Sequence, residues 1–218
     1  MSEIPNTNLD ELLKIKTNIV GCDEVGTGSW AGPLVVVGVR APREWALEGL
    51  NDSKKLSPKK RETMSATLEK LIASGDLAWS LAERSNAIID QIGLGVALKD
   101  AYCEVFKRLY GDEALIISDG VLKFDNEEIN AYDKVSIVKA DTKFAQVMAA
   151  SILAKVYRDS KMKLLHKQYP NYGWDSNVGY HSATHMAGLL ADGPCPLHRH
   201  SYKPIKEIIL SRRNLSLF

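Results

Sequence analysis

The sequence predicts an α/β fold built on a mixed β-sheet. Short apolar runs with the length of buried strands alternate with longer segments whose apolar residues recur at helical spacing. Several of these strands precede the main helical segments, which favours a mixed sheet over a doubly wound parallel one. The chain has 218 residues, of which 45% are hydrophobic, so it can bury a substantial core.

The first half of the chain supplies most of the predicted strands. The run Leu34–Val39 is almost wholly apolar, which is typical of a central strand. A helix is predicted to begin at Ser57-Pro58, because proline is favoured at the first helical position. In chain order the predicted elements of this half are a peripheral amphipathic helix over 8–16, strands over 19–22 and 34–39, the helix from 57, a strand over 77–84 and a helix over 88–109.

The second half adds two short strands and a long helix. The strands are predicted over 114–118 and 134–138, and the helix over 142–166. Glycine and proline then punctuate the chain heavily, so beyond residue 168 we expect one short helix, Ser182–Ala191, and otherwise loops. We therefore predict a main domain over 1–168 and a C-terminal region over 169–218 that packs on it, with an extended tail over 212–218.

Composition limits the environment more than the activity. The formal net charge of +1 neither favours nor excludes a nucleic-acid partner. Cys22, Cys103 and Cys195 lie far apart without metal-binding spacing, and an odd number of cysteines without a secretory signal favours the reducing cytoplasm. No apolar run has the length of a membrane span, so we expect a cytoplasmic protein that does not enter the membrane.

Acidic residues follow three of the predicted strands. Asp23 and Glu24 end the first strand, and Asp119 and Asp141 follow two later ones. Adjacent side chains of a regular strand point to opposite faces, so two neighbouring acids can serve one site only where the strand ends. Carboxylates that meet at a sheet edge suit Mg²⁺ or Mn²⁺. The alternatives are solvated acids in a hairpin turn for the pair, a turn residue for Asp119, and a helix N-cap for Asp141.

Ordered motifs along nearly the whole chain resemble ribonuclease HII, the type 2 RNase H family. The matching blocks are Gly21–Gly28 with Gly32-Pro33, Asp52–Ser57, Ser118–Gly120, Lys139–Asp141, Ala149–Asp159, Tyr169-Pro170, Gly179-Tyr180 and Gly193–Arg199.

The resemblance implies both a fold and a reaction. The fold is RNase H-like, a mixed sheet flanked by helices with a small helical and loop-rich C-terminal region. The reaction is endonucleolytic cleavage of RNA in RNA–DNA hybrids and of ribonucleotides embedded in duplex DNA, leaving 3′-hydroxyl and 5′-phosphate ends. The family's catalytic, metal-binding acids fall on Asp23, Glu24, Asp119 and Asp141, with two Mg²⁺ or Mn²⁺ ions in the reactive complex.

The resemblance also implies the substrate-binding residues. The turn Gly26-Thr27-Gly28 contacts the ribonucleotide through backbone groups. Tyr180 senses the junction between a ribonucleotide and the following deoxynucleotide, although a half-buried loop aromatic is the alternative interpretation. Lys54 and Lys55 approach the scissile phosphate unless they belong to a solvated basic run.

The sequence leaves open the partners of three further polar residues, of which two lie in the matching blocks and His200 directly follows the last block. Asp159 either supports the metal-binding acids without itself contacting the ions, or it pairs with Lys155 or Lys163. His198 and His200 are interpreted as hydrogen-bonded loop histidines rather than phosphate contacts.

Two positions depart from the family pattern. Thr27 stands where the family usually has arginine, which resembles the related ribonuclease HIII, and Val178 replaces the usual lysine. The position of the fourth acid and the missing extra N-terminal domain favour HII. The alternatives are an HIII-like nuclease that acts only on continuous hybrids and a catalytically silent hybrid-binding module. The intact set of acids argues against the silent module, because clustered carboxylates repel one another.

The last residues, Asn214–Phe218, resemble the short peptide with which bacterial replication proteins bind the sliding clamp. Apolar residues at alternate positions of an extended tail would fill a hydrophobic groove. The alternative is a tail that packs on the enzyme itself. We expect the enzyme to act as a monomer.

Overall fold

The structure of the protein, a computed structural model, describes residues 7–120 and 127–215. Its strands are β1 Asn18–Val25, β2 Leu34–Pro42, β3 Ala78–Arg84, β4 Ala114–Asp119 and β5 Lys134–Ile137. Its helices are α1 Thr7–Ile15, α2 Pro58–Ala73, α3 Asn86–Ile92, α4 Leu94–Leu109, α5 Glu127–Asn130, α6 Ala145–His166, α7 Trp174–Asn177, α8 Ala183–Asp192 and α9 Lys203–Leu215. Short 3₁₀ turns cover Ala140–Thr142 and Pro170–Tyr172.

The strands form one sheet in the order β3-β2-β1-β4-β5. β4 is parallel to both β1 and β5. β2 is antiparallel to β1, because the short connection 26–33 cannot provide the crossover that a parallel pair needs. The predicted mixed sheet is therefore confirmed. The register sets Cys22 beside Ser118, so that Asp23 and Asp119 follow at the same edge.

Glycines let helices approach the sheet closely. A Cβ at Gly21 of β1 would lie 2.2 Å from the backbone nitrogen of Val147 in α6. A Cβ at Gly38 of β2 would lie 2.5 Å from Cγ1 of Val105 in α4. Both strands can therefore hold these helices only because the side chain is absent.

The chain divides into two compact units that interleave along the sequence. One unit comprises Met1–Glu24, Val36–Ala82 and Ala101–Val156. Its core includes Ile19, Leu115 and Val147. The other comprises Val25–Val35, Glu83–Asp100 and Tyr157–Phe218. Its C-terminal segment begins within α6, and its core contains the fully buried Trp174 and Leu189.

Several predicted boundaries are wrong. The helix expected over 88–109 is broken at Gly93, whose φ of 83° ends α3. The long helix begins at Ala145 rather than 142, because the 3₁₀ turn precedes it.

The C-terminal region contains more helix than expected. α8 confirms the short helix over 182–191, but α9 was not predicted. Residues 212–215 belong to α9 and are not extended, and residues 216–218 lie outside the described part of the chain. No helix in the described ranges is long and apolar enough to span a membrane.

Candidate active site

Asp23 occupies a half-buried and negatively charged position two residues before the end of β1. Burial raises its pKa to about 7, and the charges of Glu24 and Asp119 add to the rise. A hydrogen bond from Ser151 and one from the backbone N–H of Glu24, 2.8 Å from Oδ1, only partly offset this effect. The three acids therefore lie close enough to repel one another, and a bound cation would relieve that repulsion.

Glu24 is fixed by a residue that the sequence did not single out. The Oη atom of Tyr102, a fully buried residue of α4, donates a hydrogen bond of 2.5 Å to Oε2 of Glu24. Burial raises the pKa of Glu24, the Tyr102 bond lowers it, and the charge of Asp119 raises it further. Tyr102 thus sets the orientation of this carboxylate.

Asp119 and Asp141 are connected through one tight turn. Oδ1 of Asp119 accepts the N–H of Ala140 at 2.7 Å, just after Lys139, whose φ is 59°. Asp141 lies in the 3₁₀ turn, not at the N-cap of α6, and is 2% exposed. Its Oδ2 pairs with Nζ of Lys54 at 3.2 Å.

Lys54 connects Asp141 electrostatically with the strand-end acids. Partial burial lowers its pKa, but the hydrogen bond to Asp141 and the charges of Asp141, Asp23 and Asp52 raise it overall. The Lys54 side chain is 76% exposed, and Lys55 is exposed as well. The loop itself is ordered, because the Lys54 N–H donates to Oδ1 of Asp52 at 2.8 Å.

The acids fit a hard divalent cation that completes its shell with other oxygens. Within residues 7–120 and 127–215, no three His, Cys, Asp or Glu side chains form a ready metal cage. Mg²⁺ commonly keeps several waters and binds few carboxylates together with substrate phosphate. The mutual repulsion at Asp23, Glu24 and Asp119 shows an excess of negative charge that such an ion would relieve.

The glycine turn belongs to the second unit and is held by backbone contacts. The N–H of Gly26 donates to Oη of Tyr180 at 3.1 Å. The carbonyl of Thr27 accepts from Nη1 of Arg199 at 3.1 Å and from Oη of Tyr202 at 2.6 Å. Gly28 is exposed.

A buried arginine holds the rest of this turn. Arg158 of α6 is fully buried and donates to the carbonyls of Pro33, Ala31 and Val178. None of these bonds involves a carboxylate, and burial lowers the pKa of the guanidinium to about 10. Its guanidinium carbon also lies 5.3 Å from the centroid of the Tyr180 ring. Arg158 lies in one of the sequence blocks that match the family, but no function was predicted for it.

Asp159 and the two loop histidines differ in their surroundings. Asp159 is half-buried next to Arg158, and its charge is among those that raise the Arg158 pKa against the larger effect of burial. Its support of the metal-binding acids stays a prediction. His198 is fully buried and hydrogen-bonded, as expected of a loop histidine, whereas His200 is exposed.

The comparison with known proteins decides the family. The family model described as Ribonuclease HII matches residues 20–205, which include all four acids and the glycine turn. The chain belongs to the ribonuclease HII family. A ribonuclease HII of Chlamydia caviae is 38% identical over 194 residues, which cover 88% of this chain and 86% of the relative. The chain is therefore a hydrolase with ribonuclease H activity.

Solved structures agree with this assignment. Ribonuclease H2 of Pyrococcus horikoshii has a TM-score of 0.74 at 24% identity, covering 90% of this chain and 99% of that one. Ribonuclease HII of Archaeoglobus fulgidus, solved in complex with PCNA, has a TM-score of 0.68 at 29% identity, covering 85% and 95%. The expected RNase H-like fold is confirmed.

Proposed function

We propose that this ribonuclease HII cleaves the RNA strand of RNA–DNA hybrids and ribonucleotides embedded in duplex DNA, leaving 3′-hydroxyl and 5′-phosphate ends. The observation that carries the proposal is the position of Asp23 and Asp119 at one edge of the sheet, where each directly follows one of the paired residues Cys22 and Ser118 of neighbouring parallel strands. It supports a hydrolysis that depends on Mg²⁺ or Mn²⁺. We also infer a monomeric cytoplasmic enzyme, in keeping with three buried cysteines that form no disulfide.

Asp23, Glu24, Asp119 and Asp141 would hold the ions. When bound, a pair of such ions supplies an activated water and stabilises the departing 3′-oxygen. Asp23, whose pKa of about 7 reflects burial and neighbouring negative charge, would hold such an ion as the ionised carboxylate. Tyr102 keeps Glu24 in a fixed orientation throughout.

Lys54 neutralises charge at the same place. In the free protein its ammonium group pairs with Asp141, and its largely exposed side chain can turn towards a scissile phosphate. Lys55, exposed beside it, adds positive charge for the substrate backbone.

The turn Gly26-Thr27-Gly28 and Tyr180 form the proposed ribose-reading element. The bond from Gly26 N–H to the Tyr180 hydroxyl joins the two in one unit. The 2′-hydroxyl is the group that distinguishes RNA from DNA. A Tyr180 ring packed on the next sugar would disfavour a second 2′-hydroxyl at that position, so the enzyme would prefer a junction while still cutting continuous hybrids.

One assay separates this function from its alternatives. The protein is incubated with Mg²⁺ or Mn²⁺ and either a DNA duplex that carries one ribonucleotide or a continuous hybrid. We expect both to be cut. Cleavage of the hybrid alone would favour the HIII-like alternative, and cleavage of neither would favour the silent binding module. Asp119→Asn should abolish cleavage and leave duplex binding largely intact, so undiminished turnover would remove Asp119 from the site.

A sliding clamp is a second proposed partner, through Asn214–Phe218. The complex of the Archaeoglobus relative with PCNA supports it. Deletion of 215–218 should weaken clamp binding without changing the cleavage of short duplexes. Unchanged affinity for the clamp would contradict the proposal.

A further inference from the structure

A buried pair of histidines lies directly behind Tyr180. His185 is the third residue of α8, and His198 follows Cys195 in the next loop; both are fully buried. Their Nε2 atoms are 3.0 Å apart. On the other side of the pair, Nδ1 of His185 lies 2.8 Å from the carbonyl oxygen of Tyr180.

The partners of this pair determine which nitrogens carry protons. The indole N–H of Trp174 can only donate, and it lies 3.2 Å from Nε2 of His185. Nε2 of His185 is therefore an acceptor, its proton is on Nδ1, and Nδ1 donates to the Tyr180 carbonyl. The backbone N–H of Cys195 likewise donates to Nδ1 of His198 at 2.9 Å, which leaves the His198 proton on Nε2, facing His185.

Both imidazoles are consequently neutral, and every ring nitrogen has a partner. Burial lowers the pKa of His185, and burial together with the repulsion that a protonated His185 would exert lowers the pKa of His198 to about 3. A metal ion between the two rings is excluded by the same protons, because the Nε2–H of His198 and the indole N–H of Trp174 both point at the single lone pair of His185. The result is a directed series of hydrogen bonds that ends on the Tyr180 backbone.

The backbone around Tyr180 needs such an anchor. The two preceding residues, Val178 and Gly179, have φ values of 46° and 86°, a region in which a β-branched residue such as valine is strained. The N–H of Tyr180 is bound to the carbonyl of Asn177 at 2.9 Å. His185 is the partner of its carbonyl, so it fixes the peptide that follows the ring.

We propose that His185, held in its tautomer by His198, is the positioning residue that places Tyr180 for recognition of the junction between a ribonucleotide and a deoxynucleotide. The inference rests on the proposed function of Tyr180. Neither His185 nor His198 contacts the substrate in this scheme. They act on substrate choice by holding a backbone carbonyl.

The test compares two variants of His185 on two substrates. His185→Leu removes the donor to Tyr180, whereas His185→Asn keeps an amide N–H near the position of Nδ1. On a duplex with one ribonucleotide, kcat/KM of the leucine variant should fall about tenfold, the change expected from one lost positioning hydrogen bond. On a continuous hybrid it should change by less than about twofold, and the asparagine variant should restore the wild-type ratio of the two substrates. An equal loss on both substrates, or no rescue by asparagine, would overturn the inference.

A measurement on the unaltered protein keeps the inference testable if the leucine variant does not fold. Long-range ¹H–¹⁵N spectra of the imidazoles should show His185 protonated on Nδ1 and His198 on Nε2 at pH 7. A His185 ring protonated on Nε2 would overturn the inference, because that ring could not donate to Tyr180.

Tyr180→Ala separates this inference from the function on which it rests. If alanine leaves the ratio of the two substrates unchanged, Tyr180 does not sense the junction, and the role of His185 fails with it. If alanine changes the ratio and His185→Leu does not, Tyr180 keeps its role and the positioning by His185 is wrong.

Discussion

Gly26 and Gly28 have different reasons to be glycine, although they stand two residues apart in one turn. Gly26 has a φ of 93°, and a Cβ there would lie 2.4 Å from Nε of the buried Arg158. Gly28 has ordinary backbone geometry, and the atom that a Cβ would meet first is Cε1 of Tyr180 at 3.9 Å. The free protein therefore has room for a methyl group at Gly28 but not at Gly26.

Gly28→Ala should leave folding intact and reduce cleavage. The new methyl group makes only ordinary contact in the free protein, so the melting temperature should change little. If a ribose approaches the backbone here, kcat/KM should fall by about tenfold or more, because a misplaced substrate loses reactive geometry. Gly26→Ala is the control that should lose stability as well. Full activity in Gly28→Ala would show that no substrate approaches this glycine.

Tyr102→Phe should impair activation by metal more than it lowers the stability of the fold. The variant keeps the ring and removes the hydrogen bond to Glu24. A hydrogen bond to a charged acceptor contributes about 1–3 kcal/mol of stabilisation. We expect the Mg²⁺ concentration for half-maximal activity to rise several-fold. Tyr110→Phe is a matched control, since Tyr110 donates to Asp133 and not to any of the four acids. An identical Mg²⁺ titration for both variants would contradict the role of Tyr102.

The buried His198 should make stability sensitive to mild acid. Its pKa is about 3 in the folded protein and 6.5 in the unfolded chain, so the unfolded chain binds more protons between these values. Stability is therefore fully present above pH 6.5 and falls as the pH decreases towards 3. For His198 alone the loss at pH 5 is about 2 kcal/mol. The raised pKa of Asp23 changes stability in the opposite direction over the same interval. The His198 contribution is therefore the difference between the wild type and His198→Gln in urea unfolding at pH 7 and pH 5, and equal changes in the two proteins would assign the effect to other groups.

At the scale of elements, the approach of α6 to β1 depends on Gly21. A methyl group there would lie 2.2 Å from a backbone atom of α6, which cannot move without the helix. Gly21→Ala should therefore lower the free energy of unfolding by about 3 kcal/mol or more. Gly95→Ala in α4 meets no atom within 4 Å and should be neutral or slightly stabilising in the same denaturant experiment. Similar stability for both variants would refute the close approach.

The elements also show what a local pattern can predict. The strands before Asp23 and Asp119 were predictable, because short apolar runs end at acids in the sequence itself. The helix α9 was missed because Pro204 follows a region rich in glycine and proline, although proline in a first turn favours a helix start. Ile205 and Ile208, both buried, carry the helical spacing that could have revealed it.

Residues that support the site were less predictable than the site itself. Tyr102 reaches Glu24 from 78 positions away, and Arg158 contacts Pro33 from 125 positions away. Such partners are set by tertiary packing, and no periodicity encodes them. The same applies to His185, whose helix was predicted and whose contact with the Tyr180 backbone was not.

For the whole molecule, Asp23 should reduce stability in the absence of metal. Asp23→Asn removes a half-buried carboxylate and its repulsion with Glu24 and Asp119. The metal-free variant should be more stable than the wild type by about 1 kcal/mol, while its cleavage is lost. Thermal unfolding in EDTA measures the first effect and the duplex assay the second. An equally active variant, or a less stable one, would contradict the placement of Asp23.

The two buried guanidiniums beside the glycine turn make its backbone independent of the side chain at position 27. Arg158 and Arg199 bind carbonyl oxygens of Thr27, Ala31, Gly32 and Pro33, atoms that every residue type possesses. A substitution at position 27 changes the side chain and leaves these hydrogen bonds to the backbone unaltered. The side chain at position 27 can therefore be changed to alter substrate contact without loosening the turn that presents it.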